Sequence, residues 1–174
     1  MKKLVILLSM STVFLSACGN KHDKMVGYWQ LENVQGKRIM QIFKEGKDSY
    51  ILKENVVARS NVVNGKEGSS LVLEKKDDTL AVNNGLAAMP LHLSDDGQTL
   101  RISKNQYKKV DENFVNKTIE NIKVCHEIET EYRTKVKELP IFTRDPAIQE
   151  QRKTLAESTT KKMQAIEDCK FGIY

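Results

Sequence analysis

Between Val26 and Val110 the apolar residues come in short bursts that alternate with polar ones, and after Asp111 they fall at steps of three and four. The two periods predict two kinds of structure, strands first and helices second. In the first stretch, segments rich in β-branched and aromatic residues lie at 26–33, 38–44, 50–54, 56–63, 70–75, 79–82, 90–93, 99–103 and 106–110. Leu71 and Leu73, Leu91 and Leu93, and Leu100 and Ile102 each share one face of their segment. The connectors Gln35-Gly36, Glu45-Gly46, Asn64-Gly65, Asp77-Asp78, Asn84-Gly85 and Asp96-Gly97 supply residues that tolerate positive φ or cap a tight turn. Short strands joined by such turns form an antiparallel meander that curls back on itself, as a small barrel or a two-layer sandwich.

Beyond Asp111 the stripe Val115, Ile119, Ile122, Cys125, Ile128, Tyr132, Val136 and Leu139 predicts one long amphipathic helix. Leu139-Pro140 ends it, because proline disfavours a helical residue before it. Asp145-Pro146 opens a second helix with an N-cap and a first-turn proline, and its stripe runs Ile148, Leu155, Thr159, Met163, Ile166, Cys169. The expected fold class is therefore α+β, an antiparallel β-domain at 26–110 followed by an antiparallel helical hairpin at 111–174.

The start of the chain reads differently. Lys2 and Lys3 precede an apolar run from Leu4 to Ala17. At about 14 residues it is short of the ~20 that a membrane-crossing helix needs. A basic start, an apolar core and small residues at its end instead predict a cleaved secretory signal over residues 1–17. Leu15-Ser16-Ala17-Cys18 resembles the lipobox of bacterial lipoproteins. That resemblance implies that Cys18 becomes the first mature residue and carries lipid on its sulfur and its amine. Acyl chains add about 0.8 kcal/mol per buried methylene, so such an anchor is effectively permanent. In Gram-negative lipoproteins an aspartate after the cysteine signals retention at the inner membrane. Gly19 in that place implies the outer membrane, with the domain facing the periplasm, although a Gram-positive host stays open. Residues 18–25 are polar beyond the cysteine and read as a lipidated N-terminus and tether.

Removing the leader lowers the formal charge from +5 to +3, since Lys2 and Lys3 go with it. Residues 21–110 carry 15 basic and 11 acidic residues, and residues 111–174 carry 11 and 12. No Lys/Arg stripe of the kind a nucleic acid requires stands out. Of the three cysteines, lipid would occupy Cys18. Cys125 and Cys169 remain, and in an oxidising envelope they are expected to pair. A level helical hairpin sets residue i opposite roughly 284 − i, which leaves Cys169 about ten positions, or ~15 Å, from Cys125. The bridge thus requires the second helix to begin well beyond the end of the first, or one helix to bend.

Gly27-Tyr28-Trp29 resembles the Gly-x-Trp signature on the first strand of lipocalins. Residues 91–110 are similar to the closing hairpin of small lipocalin-like lipoproteins. The resemblance implies a small barrel with Trp29 as a core residue at its floor.

Candidate chemistry is sparse. His22, His92 and His126 have no neighbours at metal-ligand or catalytic spacing. Ser94-Asp95-Asp96-Gly97 resembles half a calcium loop but lacks its closing glutamate and reads as a hairpin turn. Glu127, Glu131 and Lys135 lie one helical turn apart, as on a solvated helix face. The expectation is a non-catalytic module without cofactor or metal. It would be held to a membrane through Cys18 and bind a protein partner, as an envelope component or as an inhibitor or immunity protein. A lipocalin-like carrier or sensor of a small apolar ligand is the alternative.

Overall fold

The structure is a computed structural model that describes residues 20–34, 36–83, 85–140 and 144–170. The apolar leader, Cys18, Gln35 and Asn84 lie outside the described residues. Eight antiparallel strands form a closed barrel: β1 (Gly27–Leu31), β2 (Ile39–Glu45), β3 (Ser49–Val57), β4 (Ser70–Lys76), β5 (Thr79–Asn83), β6 (Ala88–Leu93), β7 (Thr99–Ile102) and β8 (Asn105–Val110). Each strand pairs with the next, and β1 pairs again with β8 through Tyr28↔Val110 and Leu31↔Tyr107. Closure of this kind leaves no edge strand to template aggregation. Among the described residues three α-helices accompany the barrel: α1 (Arg59–Asn64), α2 (Glu112–Glu138) and α3 (Pro146–Gln164), with α2 and α3 packed as a hairpin.

Alternation along the strands fills two cores. Trp29, Met40, Ile42, Tyr50, Leu52, Leu73, Leu80, Leu91 and Leu100 point inward and form the barrel core. Their outward neighbours Ile39 and Val57 are also fully buried, because Val115 of α2 lies over them, flanked by Tyr28, Phe114 and Ile119. Each such aliphatic side chain removed from water contributes about 1.5–3 kcal/mol.

Sequence reading and structure part at residues 56–63. The expected strand there divides into the end of β3 and the short helix α1. Asn55 adopts φ 48°, and the β2–β3 register jumps from Ile39↔Val57 to Gln41↔Lys53. The bulge sets Val57 opposite Ile39, and both side chains lie in the outer core with Val115 of α2. Beyond it Asn61 donates to the Asn55 carbonyl at 3.0 Å and Asn64 to the Ser60 carbonyl at 2.7 Å. Those side-chain bonds favour a turn of helix over a continued ladder, despite the β-branched Val62 and Val63. The chain then returns through Gly68, where an added Cβ would stand 1.5 Å from the Glu54 carbonyl oxygen.

Cys125 and Cys169 are joined, with S–S 2.13 Å and Cα–Cα 5.6 Å. Of the two ways to close the bridge, a displaced second helix or a bent one, the displacement is present. Arg152 donates to the Leu139 and Pro140 carbonyls, and Lys162 reaches Glu131. These contacts set residue i opposite roughly 292 − i, so α3 starts about two turns beyond the end of α2. Cys169 itself is not on the helical stripe where the sequence reading places it. α3 stops at Gln164, and the chain continues in tight turns with Ile166 N–H on Met163 O, Cys169 N–H on Ile166 O, and Asp168 at φ 60°. Aspartate tolerates that left-handed conformation, and it aims the last cysteine at α2.

Two outcomes are expected. Replacing either Cys125 or Cys169 by serine lowers unfolding free energy by about 3–4 kcal/mol, the value for a loop of this length, and the double variant loses no more than a single one. Gly68→Ala costs about 1–3 kcal/mol or more, because backbone must move to admit the methyl. Urea unfolding followed by circular dichroism measures both.

Candidate functional site

Residues 20–25, read from sequence as tether, are folded. Lys21–Met25 form a 3-10 helix whose N-cap, Asn20, accepts the His22 N–H. This plug helix seals the barrel end at which β1 begins. Met25 is buried in the barrel core, and its carbonyl accepts the Trp29 indole N–H at 2.8 Å. Polarity had pointed to a loose segment, because its one apolar residue, Met25, carries no periodic signal and its polar contacts are with residues far along the chain.

Lysines from inward register positions of three strands surround the plug. Lys44 of β2 contacts Asp23 at 3.1 Å and lies over the Tyr50 ring. Lys75 of β4 pairs with Asp48 at 2.7 Å and also lies over Tyr50. Lys109 of β8 covers the Trp29 ring and donates to the Lys24 carbonyl at 3.1 Å. Their ammonium nitrogens stand 5.2–5.7 Å from the ring centroids, within reach of a cation–π attraction. Gly27 is what lets Lys109 through: its φ is 138°, and a Cβ there would meet Lys109 Cε at 3.2 Å. From the plug, Lys21 pairs with Asp78 at 2.7 Å.

Asp23 is the hub of this end. It accepts from the Tyr50 hydroxyl at 2.6 Å and from Lys44. The Tyr50 bond first, and then the Lys44 ammonium, hold its carboxyl below the ordinary carboxylate range. Burial, and then the bond to Asp23, push the Tyr50 phenol up. His22 lies inside the folded plug and not in a loose tether. It is 8% exposed, beside the Tyr50 ring, and neither ring nitrogen has a hydrogen-bond partner.

The second concentration of functional groups surrounds the disulfide. Arg59, at the start of α1, points one guanidinium nitrogen at Cys125 Sγ (3.5 Å) and pairs with Glu129 through another. Lys37, in the β1–β2 turn, lies over the Phe114 ring and pairs with Asp168 at 3.1 Å. The tail after α3 is thus tied to the barrel by charge and to α2 by sulfur. Beneath it lies a cavity of about 110 Å³ lined by Lys37, Phe114, Thr118, Ile122 and Cys125.

Other positions singled out from sequence stay apart. His92 is exposed on β6, and His126 is half-buried on α2. Ser94, Asp95, Asp96 and Gly97 make the β6–β7 turn, where the Asp96 carboxylate accepts the Gln98 N–H. Glu131 pairs with Lys135 at 2.6 Å along α2. Among the described residues no three His, Cys, Asp or Glu side chains converge as metal ligands, and no helix is long and apolar enough to cross a membrane. No family model, no curated protein and no solved structure matches this chain.

The lowered Asp23 carboxyl gives a signed expectation. A group with a depressed folded pKa adds stability that is complete above its unfolded value, near 4, and is lost as pH falls through the folded value. Asp23→Asn should therefore be less stable than the parent at pH 6, and the gap should close on acidification below about pH 4. Urea titration of Trp29 fluorescence at each pH reads the gap.

Proposed function

We propose that this protein is an envelope lipoprotein. Lipid on Cys18 anchors it at the outer membrane facing the periplasm, and it acts without catalysis by binding a protein partner through its helical hairpin. One observation carries the reading. α2 and α3 are locked to each other and to the barrel by a disulfide and flanking ion pairs, so a long helical surface is presented with little freedom left to lose on binding. Preorganisation of that kind raises affinity by lowering the entropic cost of association.

The barrel supports the same reading. A lipocalin-like carrier needs space between its strands, whereas here Trp29, Tyr50, Ile42, Leu80, Leu91 and Leu100 occupy the interior at 2% exposure or less. The outer surface is what remains for recognition. The hairpin offers much of it, with Glu150, Lys153, Glu157 and Lys161 exposed along α3. Mixed charge of this sort discriminates between partners more than it adds affinity. An envelope component and a toxin or lysozyme that the protein neutralises are both compatible with such a surface.

Crosslinking in intact cells followed by affinity capture tests the proposal. One specific protein should be recovered, and reversing charges together at Lys153 and Glu157 should abolish its capture. Reversal at Arg101, on the outer face of β7, should leave it intact. Recovery of no specific protein, or equal loss with the Arg101 variant, rejects hairpin recognition. For the anchor, Cys18→Ser should eliminate incorporation of labelled palmitate, and label that persists rejects it.

A further inference from the structure

We infer that the plugged end of the barrel is the face that rests on the phospholipid bilayer, which places α1 and the outer end of the hairpin on the side away from it. The inference builds on the proposed lipid at Cys18 and adds an orientation to it.

Chain length limits how far the plug can stand from the anchor. Cys18 precedes Lys21, the first residue of the plug helix, by three positions, a span of at most ~11 Å when fully extended. A tethered domain would tumble at the end of a long polar segment. Here the plug is fixed in the barrel by the buried Met25, the Trp29 indole bond, the Lys21–Asp78 pair and the Asp23 contacts with Lys44 and Tyr50. An acyl chain on Cys18 therefore holds this end within about three residues' reach of the headgroups.

The turns that border the plug then share that position. Lys21 and Lys24 line one recess with Ser94, Asp95 and Gly97 of the β6–β7 turn. Asp48 of the β2–β3 turn pairs with Lys75, and Asp78 belongs to the β4–β5 turn. At the opposite end lie α1 and the β5–β6 turn, where Leu86 is 94% exposed. α2 leaves β8 at the plugged end, meets Arg59 of α1 through Cys125 and Glu129, and beyond Glu129 has about nine residues, ~14 Å, still to run before its C-terminus.

The chemistry of the seat is a neutral mosaic and not a basic patch. Lys21, Lys44 and Lys75 are already paired with Asp78, Asp23 and Asp48. Zwitterionic phospholipid therefore suffices, and acidic headgroups are not required.

Nitroxide accessibility in vesicles tests this. The lipidated full chain, extracted from membranes, is reconstituted in phosphatidylcholine vesicles containing a nickel-chelating lipid. Single cysteines replace Lys47 or Asp95 at the plugged end, and Leu86 or Lys153 away from it. With Cys18 in a thioether and Cys125 bound to Cys169, only the new thiol takes the label under non-reducing conditions. Relaxation by headgroup nickel should be several-fold stronger at positions 47 and 95 than at 86 and 153, and unchanged when phosphatidylglycerol is added. Equal relaxation at all four sites, stronger relaxation at 86, or a requirement for phosphatidylglycerol overturns the orientation while leaving the anchor intact. Protein that fails to float with the vesicles overturns the anchor on Cys18, and the orientation with it.

Discussion

β1 is five residues long, and most of the molecule is built on its two edges and two faces. Its edges hydrogen-bond to β2 and to β8, so without it the remaining strands form an open sheet. Inward it presents Gly27 and Trp29, outward Tyr28, and these serve different cores. Trp29 fills the barrel and bonds to the plug, while Tyr28 packs beneath α2. Barrel closure, plug docking and helix attachment are therefore not separable contributions. A single strand couples them, and loss of its pairing would remove a partner from each.

A second coupling joins the barrel to the hairpin. The outer core is small, with Ile39, Val57 and Val115 as its buried members. Half-buried surface ion pairs such as Lys37–Asp168 add little individually, on the order of 0–1 kcal/mol. The covalent tie matters more because its contribution comes from restricting the unfolded chain and not from contacts in the folded one. Arg59 sits where the two halves meet. Its guanidinium touches the sulfur of Cys125 and the carboxylate of Glu129, joining α1 and the middle of α2 through a planar donor group.

Where a residue's own neighbours in sequence decide its conformation, the fold was legible. Turn pairs such as Asp77-Asp78, Asp96-Gly97 and Asp145-Pro146 lie at the expected bends and helix start, and the strand and helix periods gave the α+β class. The offset between α2 and α3 followed from requiring Cys125 to meet Cys169. What sequence could not show depends on partners far along the chain. Met25 is the one apolar residue of the plug, and its polar ties run to Tyr50 and Asp78, 27 and 57 positions away, so residues 21–25 looked like a polar linker. Val62 looked like strand because its value as a helix residue comes from packing near α2. Arg59 carried no motif at all, since its partners lie 66 and 70 residues away. The barrel's own closure was likewise open between two architectures, because strand alternation alone does not say whether the first strand meets the last.

The displaced register of the hairpin makes it a ruler whose length is checked by a chemical bond. One residue inserted within α3 would carry Cys169 forward by 1.5 Å and around the helix axis by about 100°, away from its partner sulfur. An insertion beside Pro140, in the connection between the helices, can bulge outward and leave the measure unchanged. Lineages descended from this chain are thus free to vary in length at that connection and constrained along the helices, whatever the hairpin has been selected to meet.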